Sequence, residues 1–391
     1  MLSVGAVLEG SRDGPRLRAG VTPPVGDVYC ISWQNNSTKA DSPMTIPFFD
    51  GHNDTVLRLL ELAAPGQEAA FVEGGRGGHI DLPRAKTGGM AGGFFAMFPP
   101  PLKGSLAGTV GTAASSNGQL PPELAVADAQ ASTNGMTSIL LRLERMGALA
   151  LCRSAGEVRA AIGQGTLAAI MHIEGAEAID TEFRALDVLY AAGLRSVGIT
   201  WSRANAFGTG VPFRHNADPD IGPGLSDAGK ELVRQCNWLG VMLDLSHLNA
   251  AGFRDVADIS THPLVATHSN VHAICPHARN LVDWQLAAIR ESGGMVGLNF
   301  ATGFLRPDGK FVADTPIELM VRHMDALVEA LGEDGVALGS DFDGAMVPAE
   351  IGDVTGVQKL LQALLDKGYG EELVRKIALG NWLSMIERTI G

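Results

Sequence analysis

Eight short apolar runs alternate with longer segments of helical character between Met44 and the C-terminus. Each run has the length and composition of a strand buried on both faces, and the segments between runs are long enough to hold a crossover helix. Eight strand-helix repeats predict an α/β fold of the (β/α)8 TIM barrel type. The predicted strands are Thr45–Phe49, Gly92–Phe98, Leu167–Ile173, Ser196–Thr200, Gly240–Leu245, Leu264–Thr267, Gly294–Phe300 and Val336–Gly339.

The main alternative for this repeat is an open, doubly wound sheet. That fold requires a glycine-rich phosphate-binding turn after its first strand, and Asp50-Gly51-His52 lacks this pattern. Residues 1–43 differ from the rest of the chain, because they are rich in Gly, Pro, Ser, Asn and Thr and have little periodicity. We therefore predict a poorly patterned N-terminal extension over residues 1–43 and a single barrel domain over residues 44–391.

The charge and composition of the chain exclude several classes of function. The formal net charge of −13 repels phosphate backbones and anionic lipid surfaces, which argues against nucleic-acid and membrane-surface roles. No run of about 18 uncharged apolar residues is present, so no transmembrane helix is predicted. The N-terminus lacks a basic stretch followed by an apolar core, and the four cysteines form no Cys-x-x-Cys pair. A reducing cytoplasm is therefore the predicted location.

Side chains that bind metals or transfer protons stand at or just after the ends of five predicted strands. The carboxyl ends of barrel strands meet on one face, so these groups from distant parts of the chain should converge. A lone histidine at a strand end is more often structural than a ligand, and a lone carboxylate there often caps the next helix. Their joint occurrence at five strand ends favours one shared site. The residues are His52, Asp54, Glu174, His247, His268 and Asp341.

The chemical make-up of this set points to metal ions. Three carboxylates crowded together repel one another and raise one another's pKa unless cations neutralise them. Three imidazoles with carboxylates suit zinc, which accepts nitrogen and oxygen ligands. One catalytic zinc needs only three protein ligands, whereas five candidate ligands and a further carboxylate fit two metals that share a bridging carboxylate. Glu174, the only ligand from its part of the barrel, is the predicted bridge.

A series of short motifs, in its order and spacing, resembles that of the membrane (renal) dipeptidases and their bacterial zinc dipeptidase relatives in the amidohydrolase superfamily. The resemblance extends from about Thr45 to the C-terminus. The motifs are Phe49-Asp50-Gly51-His52-Asn53-Asp54, Ile80-Asp81-Leu82-Pro83, Ile173-Glu174-Gly175, Leu243-Asp244-Leu245-Ser246-His247, Thr267-His268-Ser269-Asn270, Ala278-Arg279-Asn280, Gly339-Ser340-Asp341-Phe342-Asp343-Gly344 and Gly380-Asn381-Trp382.

The resemblance implies a metal-dependent dipeptidase with two zinc ions on an amidohydrolase-like barrel. Matched residue by residue, His52 and Asp54 would bind one zinc ion, and His247 and His268 would bind the other. Glu174 would bridge both. The two ions would lower the pKa of a shared water to about 7, and the resulting hydroxide would attack the peptide carbonyl.

The resemblance also implies roles on the substrate side of the site. Asp341 would act as the catalytic carboxylate, which contacts substrate and passes a proton to the leaving amine. Arg279 would grip the C-terminal carboxylate of the substrate with two hydrogen bonds. Considered alone, Arg279 has an alternative role in a salt bridge with an acidic residue at the barrel rim.

One position departs from the better-known members of the family. They carry a substrate-contacting histidine after the threonine that ends the fourth strand, whereas here Trp201 follows Thr200. We predict that Trp201 binds substrate through its indole N–H, which donates one hydrogen bond but accepts no proton. The alternative is that Trp201 packs under the loop predicted over residues 204–223.

The sequence therefore predicts a cytoplasmic binuclear zinc dipeptidase that hydrolyses L-Xaa-L-Xaa or L-Xaa-D-Xaa dipeptides with a free C-terminal carboxylate. A lactonase or amidase acting through the same two-metal site is the first alternative. A barrel that binds ligand without turnover is the second, and the intact set of six ionisable residues disfavours it. The resemblance also suggests a homodimer, and no nucleic-acid or membrane partner is expected.

Overall fold

The computed structural model describes residues 45–62, 66–100 and 120–391, and these ranges contain nine β-strands. Each of the eight predicted strands has a counterpart within a few residues. The predicted N-terminal extension, residues 1–43, lies outside the described residues. The strands are β1 (Phe48–Asn53), β2 (Met90–Met97), β3 (Ala150–Leu151), β4 (Ala168–Glu174), β5 (Leu194–Gly198), β6 (Met242–Asp244), β7 (Val265–Ser269), β8 (Met295–Leu298) and β9 (Val336–Leu338).

The strands form one parallel sheet in the order β1-β2-β4-β5-β6-β7-β8-β9. The short β3, which was not predicted, pairs with β4 outside this path. Beyond β9 the chain returns to β1, because Asn53 forms a parallel bridge with Phe342. The (β/α)8 barrel prediction is therefore confirmed, and the open-sheet alternative is wrong.

Helices separate the strands and cover the outer face of the sheet. Among the described residues, no helix combines the length and the apolar character that a membrane span requires. The helices are α1 (Thr55–Glu61), α2 (Gln67–Val72), α3 (Leu82–Gly88), α4 (Val126–Arg145), α5 (Ala155–Gly163), α6 (Arg184–Ala192), α7 (Asp227–Leu239), α8 (Ala250–Ile259), α9 (Asp283–Glu291), α10 (Thr302–Leu305), α11 (Ile317–Leu331), α12 (Val357–Lys367), α13 (Glu371–Arg375) and α14 (Asn381–Thr389).

Strand β4 shows how side chains on alternate faces of one strand contribute to both the core and the candidate site. Its even-numbered positions share one face, because side chains in a strand alternate between two sides. Ile170 on that face joins the apolar cluster inside the barrel, and His172 and Glu174 follow towards the carboxyl end. The opposite face carries Met171 and Ile173, which pack in the larger core beneath the helices. Glu174 therefore lies at the carboxyl end of β4, and the first residues of this strand are apolar.

The first strand differs from its prediction. The predicted strand ends at Phe49, where the apolar run ends, whereas β1 continues to Asn53 and contains His52. Pairing with β2 is irregular between Asp50 and Asn53, so strict alternation does not describe this stretch. The buried polar residues remain in the strand because their backbone groups pair with both neighbours. Asp341 N–H, for example, donates to the His52 carbonyl at 3.0 Å.

Three glycines allow the strands to crowd around one carbonyl group inside the barrel. A Cβ atom added at Gly297 would lie 2.0 Å from the Thr267 carbonyl oxygen, and one added at Gly339 would lie 1.9 Å from it. At Gly51 the same oxygen would be 2.6 Å away, with the Trp382 ring at 2.4 Å. Thr267 precedes His268 in the chain. The absence of side chains at these three glycines therefore allows close spacing of the strands that carry candidate ligands.

Substitution of Gly297 with alanine is expected to lower the free energy of unfolding by about 1–3 kcal/mol, because the new methyl group meets backbone and not a flexible side chain. Gly163 is the matched control. It ends α5 with no atom within 4 Å of an added Cβ, so alanine there should be neutral or stabilise by up to about 1 kcal/mol. Urea denaturation of both variants measures the difference. Equal stabilities would contradict the proposed crowding.

Candidate metal centre

The Glu174 carboxylate lies among three imidazole rings. Its Oε1 atom is 3.0 Å from His247 Nε2, 3.4 Å from His268 Nε2 and 3.6 Å from His52 Nε2. The Nε2 atoms of His247 and His268 are themselves only 3.2 Å apart. One carboxylate oxygen therefore faces ring nitrogens that come from three different strand ends.

Two further carboxylates extend the cluster on the His52 side. Asp54 Oδ2 lies 3.5 Å from His52 Nε2. Potential ligand atoms of His52, Asp54 and Asp341 all lie within 4.8 Å of one another, and those of His52, Glu174 and His268 do the same. The structure thus brings together all six strand-end residues singled out from the sequence, and every one of them is buried.

Several of these buried atoms have hydrogen-bonding capacity that other protein groups do not use. Within the described ranges, both ring nitrogens of His52 and Oδ1 of Asp54 have no hydrogen-bond partner. A buried polar atom without a partner costs free energy, and a metal ion would satisfy such lone pairs. Imidazole nitrogens combined with carboxylate oxygens are donors that zinc accepts. The residues present therefore fit a bound divalent metal.

Burial and mutual repulsion perturb the ionisation of the cluster. Burial raises the pKa of Glu174 well above its usual range, and the nearby Asp54 and Asp341 carboxylates add to this effect. Burial lowers the pKa of His247 and of His268 well below the usual range, reinforced by Arg279 and His52. Both of these rings are therefore neutral, which is the form of histidine that binds a metal.

His52 behaves differently from the other two histidines. Burial opposes its charged form, but the Glu174, Asp54 and Asp341 carboxylates outweigh burial and raise the pKa of His52 to about 10. The protonated His52 ring then carries a positive charge among these three carboxylates. A metal ion bound there would supply that positive charge instead.

Two hydroxyl groups hold the far sides of the imidazole rings. Ser202 Oγ lies 2.8 Å from His247 Nδ1, and Thr267 Oγ1 lies 2.8 Å from His268 Nδ1. In each case the Nε2 atom is left to face Glu174. Neither hydroxyl was predicted from the sequence, although the position of Thr267 directly before His268 was an available signal.

Asp341 is held by an amide group that was also missed. Asn299 Nδ2 donates to Asp341 Oδ2 at 2.9 Å. Asn299 directly follows β8, so its position at a strand end could have identified it. Asp341 itself has a φ of 61°, and His247 has a φ of 69°. Left-handed backbone is uncommon for residues other than glycine, and such residues cluster at functional sites.

Arg279 is a buried cation beside the cluster. Its side chain is 3% exposed, and Nη2 donates to the His268 carbonyl at 3.2 Å. Burial lowers the pKa of Arg279 to about 10, although Asp341 and Glu174 act in the opposite direction. Its Nε–H has no partner among the described residues. An available N–H on a guanidinium at this position suits recognition of an anionic group.

Trp201 lies in an aromatic wall next to His247. Its ring centroid is 6.1 Å from that of His247, 4.8 Å from that of Phe98 and 5.3 Å from that of Phe213. Phe213 belongs to the loop predicted over residues 204–223, which contains no helix or extended strand. That loop therefore lies beside the candidate metal-binding cluster, since the Phe213 ring centroid is 6.0 Å from that of His247. The packing alternative for Trp201 agrees with this geometry, and a contact with substrate stays a prediction.

Comparisons with known proteins agree with this arrangement. Residues 43–389 match the membrane dipeptidase family, peptidase family M19. The chain belongs to the membrane dipeptidase family. An uncharacterised protein of Acinetobacter calcoaceticus is 39% identical to it over 298 residues, which cover 73% of this chain and 90% of the relative.

Two solved structures resemble this membrane dipeptidase family member closely. One is dipeptidase AC, a metallopeptidase of family M19, with 50% identity, a TM-score of 0.84 and coverage of 89% of this chain and 100% of that protein. The other is a metallopeptidase from Rhodobacter sphaeroides liganded with a phosphinate mimic of the dipeptide L-Ala-D-Ala. It has 50% identity, a TM-score of 0.85 and coverage of 88% and 100%. The predicted family and enzyme class are confirmed: the protein is a metallodipeptidase.

Removal of metal by a chelator is expected to destabilise the protein, because the buried carboxylates then repel one another without a cation. Adding back free zinc at about a thousand times its dissociation constant should raise the free energy of unfolding by about 4 kcal/mol. Thermal unfolding with and without zinc measures the change.

The matched variants for this experiment are H52N and H262N. His262 is hydrogen-bonded to Asn237 and lies outside the clusters of potential ligands, so H262N should respond to zinc like the wild type. H52N should respond much less. A wild-type protein whose melting temperature is the same with chelator and with zinc would contradict a metal at this cluster.

Proposed function

We propose that the protein hydrolyses dipeptides that carry a free C-terminal carboxylate, L-Xaa-L-Xaa or L-Xaa-D-Xaa, using two zinc ions that would share Glu174 as a ligand. The observation that carries the proposal is the position of Glu174 Oε1 within 3.6 Å of nitrogens from three histidines. A single metal would not need so many donors around one carboxylate. Membership of the membrane dipeptidase family supports a peptide bond as the target.

His52 and Asp54 would hold one zinc ion, His247 and His268 would hold the other, and Glu174 would bridge them. When bound, the two ions supply a Lewis acid for the peptide carbonyl and lower the pKa of water to about 7. The neutral rings of His247 and His268 are ready to bind without losing a proton. The Ser202 and Thr267 hydroxyl groups would keep the Nε2 atoms of these rings directed at the centre of the site.

Asp341 is proposed as the catalytic carboxylate. Its ligand atoms approach those of His52 and Asp54, and its Oδ2 accepts a hydrogen bond from Asn299. This amide leaves the other oxygen, Oδ1, to accept a proton from the attacking water. Asp341 would then deliver that proton to the amine nitrogen as the peptide bond breaks.

Arg279 is proposed to bind the C-terminal carboxylate of the substrate. Its guanidinium is buried, lies 5.4 Å above the Phe304 ring and has an available Nε–H. The Rhodobacter sphaeroides relative was solved with a mimic of L-Ala-D-Ala, which supports a dipeptide with a D-residue at its second position. Trp201 is proposed to line the substrate space beside His247, where its ring, or its indole N–H, meets the peptide. The homodimer and the cytoplasmic location stay predictions.

Substitution of Asp341 with asparagine is expected to lower kcat by about 10²–10⁴-fold, because asparagine cannot take a proton from water. KM and zinc content should change little. D308N is the control, since Asp308 forms an exposed ion pair with Arg306 and should leave kcat unaltered. Steady-state kinetics together with metal analysis test this role. A D341N enzyme with wild-type kcat would refute it.

Substitution of Arg279 with methionine keeps an unbranched apolar side chain of similar length to the arginine stem and removes the charged guanidinium group. KM for dipeptides is expected to rise by about 10–100-fold, since a hydrogen bond to a charged group contributes roughly 1.5–3 kcal/mol. Dipeptide amides, which lack the carboxylate, should be poor substrates for wild type and R279M alike. The exposed Arg214 in the loop over residues 204–223 is the control, and R214M should behave as wild type.

The substrate panel for this experiment separates the proposed activity from its alternatives. It contains L-L dipeptides, L-D dipeptides, their amides and a set of lactones. If R279M hydrolyses dipeptides as the wild type does, recognition of the carboxylate is wrong. If the zinc-loaded wild type hydrolyses lactones or amides but no dipeptide, the alternative on the same metal site replaces the proposal.

A further inference from the structure

Asp244 is a buried carboxylate that the proposed reaction does not use. It ends β6, is 1% exposed and lies behind His268 as seen from Glu174, with its Oδ2 atom 3.8 Å from His268 Nδ1. We propose that Asp244, acting through the Thr267 hydroxyl, is the positioning residue that makes His268 Nε2 a metal ligand. The inference rests on the proposed metal site.

The contacts of Asp244 define it as a hydrogen-bond acceptor. Its Oδ1 atom accepts from the backbone N–H groups of Ser246, at 3.0 Å, and of Thr267, at 2.9 Å. Its Oδ2 atom lies 2.6 Å from Thr267 Oγ1. Backbone N–H groups can only donate, so the carboxylate already acts as the acceptor on one oxygen. The short contact on Oδ2 is then a hydrogen bond that the Thr267 hydroxyl donates.

This direction fixes which nitrogen of His268 carries the hydrogen. A hydroxyl has one hydrogen, and Thr267 uses it on Asp244. The Thr267 oxygen therefore faces His268 Nδ1, 2.8 Å away, as an acceptor. Nδ1 must carry the N–H, and Nε2 keeps the lone pair that a metal needs. Nε2 is the atom that lies 3.4 Å from Glu174 Oε1.

The same turn after β6 also holds the backbone of His268. Ser246 Oγ accepts from the His268 N–H at 3.2 Å, while the Ser246 N–H donates to Asp244. His268 is therefore held at its backbone by Ser246 and at its ring by Thr267, whose hydroxyl is in turn bonded to Asp244. Asp244 Oδ2 also lies 3.6 Å from Nε2 of His172, whose ring is 5.5 Å from that of His52. The Asp244 carboxylate therefore lies close to both His268 and His172.

Thr267→Val removes the hydroxyl and retains the branched shape and the backbone N–H. Affinity for the more weakly held zinc ion is expected to fall by about 10–100-fold, the usual effect of losing a partner that orients a ligand. The other zinc ion should be retained with an affinity close to that of the wild type. Thr267→Ser, which restores the hydroxyl, should recover the affinity. The measurement is competition between the full-length protein and a chelator, with zinc counted per chain.

Asp244→Asn is the second variant, and it keeps the size of the side chain. The remaining oxygen is expected to stay on the two backbone N–H groups, so the new NH2 group faces the Thr267 hydroxyl. The hydroxyl must then donate to His268 Nδ1, which moves the ring hydrogen to Nε2 and blocks the ligand atom. Loss of zinc affinity at least as large as in Thr267→Val is expected. The absorption spectrum of the cobalt-substituted protein should lose the contribution of one site.

The outcomes distinguish this inference from the proposed function. If the wild type binds two zinc ions and hydrolyses dipeptides while Thr267→Val and Asp244→Asn bind both ions normally, the positioning role alone is wrong. If the wild type binds no zinc, both proposals fail. If both variants lose stability in the metal-free state but keep zinc affinity when folded, Asp244 is structural and the inference is overturned.

Discussion

Closure of the barrel is the constraint on which the rest of the site depends. The segment after β9 hydrogen-bonds to the end of β1, where Asp341 N–H donates to the His52 carbonyl at 3.0 Å and Asp54 N–H donates to the Phe342 carbonyl at 2.8 Å. These bonds join the first and last strands at the end where the polar side chains lie. They help to fix the position of Asp341 relative to His52 and Asp54. The fold and the candidate metal centre are therefore completed by the same few contacts.

The closed barrel brings several buried carboxylates together, and their negative charges are poorly neutralised by the protein alone. Three carboxylates and three imidazoles are buried together, and burial displaces the pKa of Glu174 upward and those of His247 and His268 downward. Such a cluster is costly unless a cation joins it. A metal centre thus belongs to the stability of the barrel as well as to its chemistry, which is consistent with membership of a family of metallodipeptidases. The hydroxyls of Ser202 and Thr267 then direct the ring nitrogens.

The residues that were predictable share a simple local signal. Glu174 ends an alternating apolar strand, and His247, His268 and Asp341 stand just after the predicted strands. The convergence of strand ends in a barrel is therefore enough to bring these residues together. Asn299 stands at a strand end too, but its bond to Asp341 and the hydrogen bond of Asp244 to Thr267 were not predicted, because both join strands distant in sequence. The end of β1 was also misjudged. Its polar residues look like a loop, yet pairing on both sides keeps them in the strand.

The sequence by itself determined the barrel, the family and the identity of the candidate ligands, because strand periodicity and the chemistry of histidine and carboxylate groups are local properties. Only the tertiary structure decided which atoms face one another. The direction of the Thr267 hydroxyl, the hold of Asn299 on Asp341 and the packing of Trp201 against Phe213 all depend on the relative positions of separate strands and loops. Those positions follow from barrel closure and side-chain packing, which depend on the whole chain at once.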